Sequence, residues 1–194
     1  MFFALWPDMA AAARLHFMAS HWKIRSGGRV MREDSLHSTL VFIGDVALSQ
    51  RASLLDLAGE IRAAAFRVAF DISGCWRHNQ IAYLGMKQIP AALLDLQTDL
   101  VTRVRKAGFR VDAQPYCPHI TLIRKAECSG SSGGASKVAA FDERAKDVAE
   151  NENPAEPVVW TVRDFVLVKS SLSVSGSHYE QVGRWPLLED NPSA

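Results

Sequence analysis

A short phrase occurs twice in this chain, and the repetition constrains the fold more than any other feature. The two copies read LHSTLVF at positions 36–42 and PHITLIR at positions 118–124. Each has a histidine, a threonine two residues later, and then a run of apolar and β-branched residues typical of a strand. Because residues i and i+2 of a strand point to the same face, each copy sets one imidazole beside one hydroxyl. The repetition predicts two similar strands that present two histidines and two threonines to one small ligand.

The composition excludes several classes of protein. With 48% apolar and 22% charged residues and a net charge of +1, the chain is not a globally basic nucleic-acid binder. No apolar run approaches the roughly 20 residues that span a bilayer, and the first residues lack the basic region of a signal peptide. Three cysteines (Cys75, Cys117 and Cys128) show no CxxC spacing, which argues against a disulfide framework and favours a reducing, cytoplasmic setting.

The periodicity of the apolar residues predicts an α+β fold. A helix is expected from Asp8 to about Ser26, with Ala10, Ala13, Phe17 and Ile24 on the apolar face and Met18 and Trp22 alongside. A second is expected from Ser49, with the apolar face Leu54, Ala58, Ile61 and Ala65, and a third between Pro90 and Gly108. Strands are expected at 2–6, 36–43, 66–72, 80–84, 118–124, 158–168 and 179–185. Hairpin-like neighbours such as 66–72 and 80–84 favour mostly antiparallel sheets, and the Gly/Ser-rich stretch within 126–157 predicts a long flexible excursion.

The repeated residue types suit acid–base chemistry on a phosphodiester. The pKa of an ordinary histidine is about 6.5, so one copy can act neutral as a base while the other acts protonated as an acid. Thr39 and Thr121 would donate hydrogen bonds to the non-bridging phosphate oxygens, and Arg124 would offer its guanidinium to the same charge. This chemistry requires neither a metal nor another cofactor.

The two phrases resemble the 2H phosphoesterase superfamily, which is defined by two His-x-Thr/Ser motifs. Within it, the chain is most similar to the bacterial RNA 2′,3′-cyclic phosphodiesterase (2′-5′ RNA ligase-like) family, through FFALWPD at the start, CPHITLIRK and the late SGSHYEQVGRWPL. The resemblance implies one domain over 1–194, with two pseudo-symmetric lobes, two mostly antiparallel sheets, helices outside and a central cleft. It also implies hydrolysis of 2′,3′-cyclic phosphates at RNA ends or on nucleotides, with reversible 2′-5′ ligation in some members.

Residue by residue, the resemblance implies that His37 and His119 are the acid–base pair, His37 as the acid for the 3′ oxygen and His119 as the base for water. Thr39 and Thr121 would hold the phosphate. Arg124 matches a phosphate-binding arginine, and Phe42, at the same offset from the first histidine, matches an aromatic residue near the base. Strict alternation places Phe42 and Arg124 on the opposite face from their histidines, so a bulge or strong twist is required.

Other readings of the same residues remain open. The ligand could be another small cyclic phosphate, ligation could dominate, or the cleft could bind RNA ends without catalysis, although binding alone needs no matched pair of histidines. A zinc hydrolase built on some of the six histidines is a further alternative. Cys117 is expected to be a buried thiol, and the protein is expected to be a monomer. Trp6, Trp76 and Tyr116 could stack on a base, but packing in the core is the expected role of each.

Overall fold

The computed structural model describes residues 1–111, 115–128, 156–173 and 176–189. Most of the predicted excursion at 126–157 lies outside the described residues. Among the helices of the described part, none is long and apolar enough to cross a membrane.

Helices occupy three of the predicted positions. They are α1 (Met9–Ser26), α2 (Arg51–Gly59) and α3 (Ala91–Lys106), with short 3-10 turns at Glu33–Ser35 and Leu48–Gln50. The side chain of Asp8 caps α1 by accepting a hydrogen bond from the Ala11 amide at 2.8 Å. In α3 the predicted apolar face is correct, since Leu93, Leu96, Leu100 and Val104 are all buried. Against the sheets, α1 packs on the strands Arg29–Val30, His119–Arg124 and Val158–Val162, and α3 packs on the strand Ser38–Phe42.

The strands of the described part form two sheets. They are β1 (Phe2–Leu5), β2 (Arg29–Val30), β3 (Ser38–Phe42), β4 (Phe66–Phe70), β5 (Ile72–Trp76), β6 (Ile81–Gly85), β7 (His119–Arg124), β8 (Val158–Val162), β9 (Asp164–Ser173) and β10 (Gly176–Pro186). The larger sheet has the order β10-β9-β1-β3-β7-β6-β5, with β2 also paired to β7, and β4 pairs with β8 in the smaller one. All of these strand pairs are antiparallel, which confirms the predicted α+β class with two antiparallel sheets.

The large sheet consists of two halves joined at its middle. β3 belongs with β1, β9 and β10, whereas β7 belongs with β2, β5 and β6. The two motif strands meet in one antiparallel pair, Ser38 opposite Ile120. These are the central residues of the two His-x-Thr motifs, and both are fully buried. The flanking histidines and threonines therefore lie on the other face of the sheet, next to one another across the junction.

Three sequence-based predictions about the fold are wrong in detail. Ala10, Ala13, Phe17 and Ile24, the expected apolar face of α1, are exposed; the buried residues are Ala11, Ala12, Leu15 and Ala19. Residues 66–72 are not one strand, because β4 ends at Phe70 and pairs with β8 in the smaller sheet. The hairpin partner of β6 is β5 instead. The argument against disulfides also fails, since Cys75 in β5 is bonded to Cys128 across a Cα separation of 5.6 Å.

Candidate active site

The six residues predicted for the site line one cleft. The cavity has a volume of about 460 Å³ and includes His37, Thr39, Phe42, His119, Thr121 and Arg124 in its walls. The antiparallel junction of the two motif strands explains how His37 and Thr39 come to face the same space as His119 and Thr121. The six predicted side chains therefore lie around one space, and the pairing of the motif centres supplies that geometry.

A bulge in each motif strand brings Phe42 and Arg124 into the cleft. Along β3, Ala4 pairs with Thr39 and Phe3 with Val41, so Leu40 is an extra residue. Along β7, Tyr83 pairs with Thr121 and Ala82 with Ile123, so Leu122 is an extra residue at the matching position. Two successive side chains are therefore buried in each strand, and the next residue returns to the cleft face. The bulge that strict alternation required is present in both copies of the motif.

The two histidines have the same backbone anchor. His37 Nδ1 lies 2.7 Å from the carbonyl oxygen of Ser35, and His119 Nδ1 lies 2.8 Å from that of Cys117. A carbonyl oxygen only accepts, so Nδ1 must be the donor in both cases. Nε2 is consequently the atom of each ring that is left to exchange a proton with a ligand in the cleft.

Burial lowers the pKa of both histidines in the protein without ligand. It lowers the pKa of His37 to about 4; the hydrogen bond to Ser35 opposes this effect, and the charges of His119 and Arg124 add to it. The pKa of His119 is also lowered, again mainly by burial and further by Arg124, with the Cys117 carbonyl opposing. An anion bound between the rings would act in the other direction, because a nearby negative charge favours the protonated form.

Arg124 carries positive charge into the cleft, and no ion pair of Arg124 is found among the described residues. It is half-buried, and its Nε has no hydrogen-bond partner among the described residues. Its guanidinium is close enough to lower the pKa of both histidines. A buried donor without a hydrogen-bond partner lowers the stability of the fold, and a bound ligand that accepts the hydrogen bond would remove this penalty. The site therefore offers two imidazoles, two hydroxyls and one guanidinium to a small anion.

The end of β7 is held by close backbone packing at Gly28. Its φ is 76°, in the region that favours glycine, and a Cβ there would lie 2.7 Å from the carbonyl oxygens of Arg124 and Lys125. Glycine thus lets the chain that leads into β2 approach the backbone of Arg124 itself. The neighbouring Arg29 pairs with Arg124 in the β2–β7 register.

Aromatic residues next to the histidines were not recognised from the sequence as part of the site. Trp6 and Trp76, expected in the core, each contact a catalytic candidate: Trp6 stacks on His37 and Trp76 lies edge-to-face with His119. Tyr179 of β10 lines the same cleft, and only its place in the late SGSHYEQVGRWPL segment hinted at it. Cys117, expected to be buried, is exposed beside the backbone anchor of His119.

Comparison with known proteins agrees with this geometry. The family model LigT like Phosphoesterase matches residues 84–179. The RNA 2′,3′-cyclic phosphodiesterase of Escherichia coli (strain K12) is 29% identical over 192 residues, which is 97% of each chain. A crystal structure of a phosphoesterase superposes with a TM-score of 0.77 at 27% identity, covering 96% of this chain and 97% of that one.

The crystal structure of E. coli LigT complexed with 3′-AMP has a TM-score of 0.74 at 28% identity and covers 96% of each chain. The likeness thus extends over both halves of the sheet and includes both motif strands. In sequence, fold and cleft geometry, this chain is similar to the LigT-like phosphoesterases of the 2H superfamily.

Proposed function

We propose that this protein hydrolyses the 2′,3′-cyclic phosphate of RNA ends or nucleotides to a 2′-phosphomonoester, without a metal, through His37 and His119. One observation carries the proposal: the central residues of the two motifs pair with each other, so both histidines and both threonines face one cleft. The name of the E. coli relative, RNA 2′,3′-cyclic phosphodiesterase, supports the substrate class. The crystal structure of E. coli LigT complexed with 3′-AMP supports a nucleotide as the ligand.

The proposed reaction uses Nε2 of each ring. Nε2 of neutral His119 takes a proton from a water molecule, whose oxygen attacks phosphorus. The bond from phosphorus to O3′ breaks, and Nε2 of protonated His37 gives its proton to O3′. The products are a 2′-phosphate and a free 3′-hydroxyl. With the 5′-hydroxyl of a second RNA end in place of water, the same steps would join a 2′-5′ linkage, and their reversal would cleave that linkage with the two roles exchanged. The hydrogen bonds from Nδ1 to Ser35 and Cys117 hold both rings in the tautomer that these steps need.

Three further groups would hold the phosphate and one would hold the base. Thr39 and Thr121 donate hydrogen bonds to the non-bridging oxygens, where charge develops in the transition state. Arg124 supplies positive charge, and its Nε, which has no partner among the described residues, can donate a hydrogen bond to the phosphate. Phe42 is 61% exposed at the cleft, which suits stacking against a nucleobase.

The proton that His37 donates must arrive with the substrate. In the empty cleft the pKa of His37 is about 4, so the residue is neutral at pH 7. The cyclic phosphate is an anion, and its charge between the two rings raises their pKa values. Substrate binding is therefore coupled to the uptake of one proton, which His37 then uses.

We infer that residues 1–194 form one domain that acts as a monomer. In support, the two halves of the site belong to one continuous sheet, so neither half has a complete set of catalytic groups without the other.

A product analysis tests the proposed function. The protein is incubated with 2′,3′-cyclic AMP and excess EDTA, and the product is identified by ³¹P NMR, with His119→Ala as the control. We expect 2′-AMP from the wild type and almost none from the variant. Loss of turnover in EDTA would instead support a metal hydrolase, and binding without turnover would support a non-catalytic RNA-end module. Formation of 3′-AMP would contradict the choice of O3′ as the leaving oxygen.

A further inference from the structure

Three aromatic rings surround His37. Phe2 and Trp6, four residues apart on and just after β1, stack on its imidazole with centroid separations of 4.9 and 5.2 Å and interplanar angles of 26° and 10°. Tyr179 of β10 lies edge-to-face at 5.0 Å and 71°. Because β1 lies between β3 and β9, and β9 pairs with β10, these rings reach His37 from two different strands of its own half of the sheet. We call these three side chains the aromatic enclosure.

The enclosure forms part of the wall around His37, and Tyr179 also packs against the main core. Phe2 joins Ala4, Val166 and Val168 in a small apolar cluster separate from the main core, and Trp6 and Tyr179 pack against it. Tyr179 also contacts Phe2 and Trp6, at centroid separations of 5.8 and 6.5 Å. The rings therefore support one another as well as the imidazole, which fixes the plane in which His37 presents Nε2.

Aromatic faces distinguish between the two protonation states of the imidazole. The face of an aromatic ring carries partial negative charge, and a cation within about 6 Å of its centroid is attracted to it. A neutral imidazole at the same place gains only stacking. An aliphatic wall would desolvate the imidazolium equally and offer nothing in return, so aromatic faces raise the pKa relative to an aliphatic wall of similar size.

The other groups that act on His37 are few. Burial and the positive charges of His119 and Arg124 on β7 disfavour its protonated form, and the Ser35 carbonyl before β3 favours it. From β1 and β10 the facing groups are the rings of Phe2 and Trp6 and the phenol of Tyr179. None of these groups is a carboxylate. The negative partial charge that favours a protonated His37 therefore comes from the Ser35 carbonyl and from the faces of the aromatic rings.

The second histidine has a different aromatic environment. Trp76 and Tyr83 meet His119 edge-to-face, at 80° and 74°, and stack on each other with a centroid separation of 4.1 Å. Among the ring contacts of the described residues, stacked neighbours of a motif histidine occur only at His37. The two histidines share a motif and a backbone anchor but not a ring environment.

We propose that Phe2, Trp6 and Tyr179 are positioning residues that act through His37, holding the plane of its ring and stabilising its protonated form in the substrate complex. The inference rests on the proposed function, in which His37 is the proton donor. It adds a reason, absent from the motifs themselves, why a half-buried histidine with no carboxylate among its described neighbours can carry a proton when a phosphate binds.

The pKa of His37 in variants tests the proposal. It is measured by NMR of ¹⁵N-labelled imidazoles with saturating sulfate in the cleft, because sulfate resembles phosphate and does not titrate near neutral pH. Trp6→Leu removes an aromatic face but keeps an apolar side chain, and Trp22→Leu on α1 is the matched control. We expect the pKa to fall by about half a unit or more in Trp6→Leu and to stay unchanged in the control. A rise would show that the ring acts only by excluding water, and either a rise or no change would overturn the proposal.

Two further measurements guard against ambiguous outcomes. Trp6→Phe keeps a ring and should lower the pKa less than Trp6→Leu, so it replaces that variant if the latter fails to fold, with Tyr179→Leu as an independent member of the enclosure. In the pH profile of kcat, the alkaline limb should move down with the pKa of His37, while the acidic limb stays in place. Movement of the acidic limb alone would overturn the proposal by making His37 the base. The NMR result does not depend on turnover, so it stays decisive even if the proposed reaction fails.

Discussion

The two halves of the site are built on the same plan but carry different side chains. In both halves a His-x-Thr strand is anchored by Nδ1 on the carbonyl two residues earlier and bulges at the leucine after threonine. In the first half the ring is stacked between aromatic neighbours, and the residue that the bulge returns to the cleft is Phe42. In the second half that residue is Arg124, and its charge reaches both histidines. The two halves thus share one geometry and differ in the side chains at matching offsets. In the proposed reaction the first half would donate the proton and contact the base, and the second would activate water and supply positive charge.

Loss of either imidazole should have the largest effect, and an equally severe one in both halves. We expect His37→Ala and His119→Ala each to lower kcat by about 10²–10⁴-fold, because a positioned acid or base contributes that much. Turnover of 2′,3′-cyclic AMP measures this, with His21→Ala on the exposed side of α1 as the control. Near-normal activity in one of the two variants would show that the halves are not partners in one reaction.

Alanine substitution of Phe42 and of Arg124, the two residues at matching offsets, should affect activity in different ways. Arg124→Ala removes a charged donor to the phosphate and should lower kcat/KM by about 10–100-fold for every base, since such bonds contribute about 1.5–3 kcal/mol. Phe42→Ala should lower it by about 10-fold, in a way that depends on the base, because the lost interaction is stacking. Steady-state kinetics with the cyclic phosphates of all four nucleosides would detect the difference. Equal losses that ignore the base would remove the distinction between the two offsets.

The pH dependence should reveal that both histidines have lowered pKa values when the cleft is empty. The profile of kcat/KM reports the free protein, in which the single proton needed by His37 is bound only below the ordinary histidine pKa of about 6.5. We therefore expect the decline of kcat/KM with rising pH to begin below the ordinary histidine pKa of about 6.5, because the pKa values of both histidines are lowered in the free protein. The profile of kcat reports the complex, where the phosphate charge raises both pKa values, so its decline should begin at higher pH. Coincident profiles would contradict proton uptake on binding.

Alanine variants of two glycines next to the motif strands should lower the free energy of unfolding by different amounts. Gly44, after β3, has a φ of 84° and no atom within 4 Å of an added Cβ, so Gly44→Ala should cost about 1–2 kcal/mol for the left-handed conformation alone. Gly28→Ala carries the same conformational cost and also forces a Cβ against the carbonyls of Arg124 and Lys125, for about 1–3 kcal/mol more. Urea unfolding measures both values. Equal losses would mean that the chain before β2 can move away from Arg124 freely.

The sequence allowed prediction of the site more completely than of the sheet. A repeated motif with period-two geometry predicts four side chains on one face, and an amphipathic pattern as regular as Leu93, Leu96 and Leu100 predicts the buried face of α3. In α1 the run of alanines after Met9 offers several stripes of similar hydrophobicity, so the sheet against which the helix packs decides which stripe is buried. Pairing of β4 with β8 joins segments far apart in the chain, and no local pattern contains that information.

The residues around the histidines were the hardest to predict. The contact of Tyr179 with His37 depends on the order β10-β9-β1-β3, which brings together the two ends of the chain. The bulges at Leu40 and Leu122 leave no mark in composition, and only the need to explain Phe42 and Arg124 suggested them. The disulfide between Cys75 and Cys128 likewise follows from how the segment after β7 packs beside β5, and not from cysteine spacing.

The central claim is that both halves act on one phosphate, and a ligand titration followed at both imidazoles tests it most directly. The reaction product 2′-AMP is added to ¹⁵N-labelled protein, and the ring signals of His37 and His119 are recorded at each step. We predict that both sets of signals shift together, with one equivalent of ligand and one dissociation constant. Shifts of only one histidine, or two different dissociation constants, would contradict a single site shared by the two motifs.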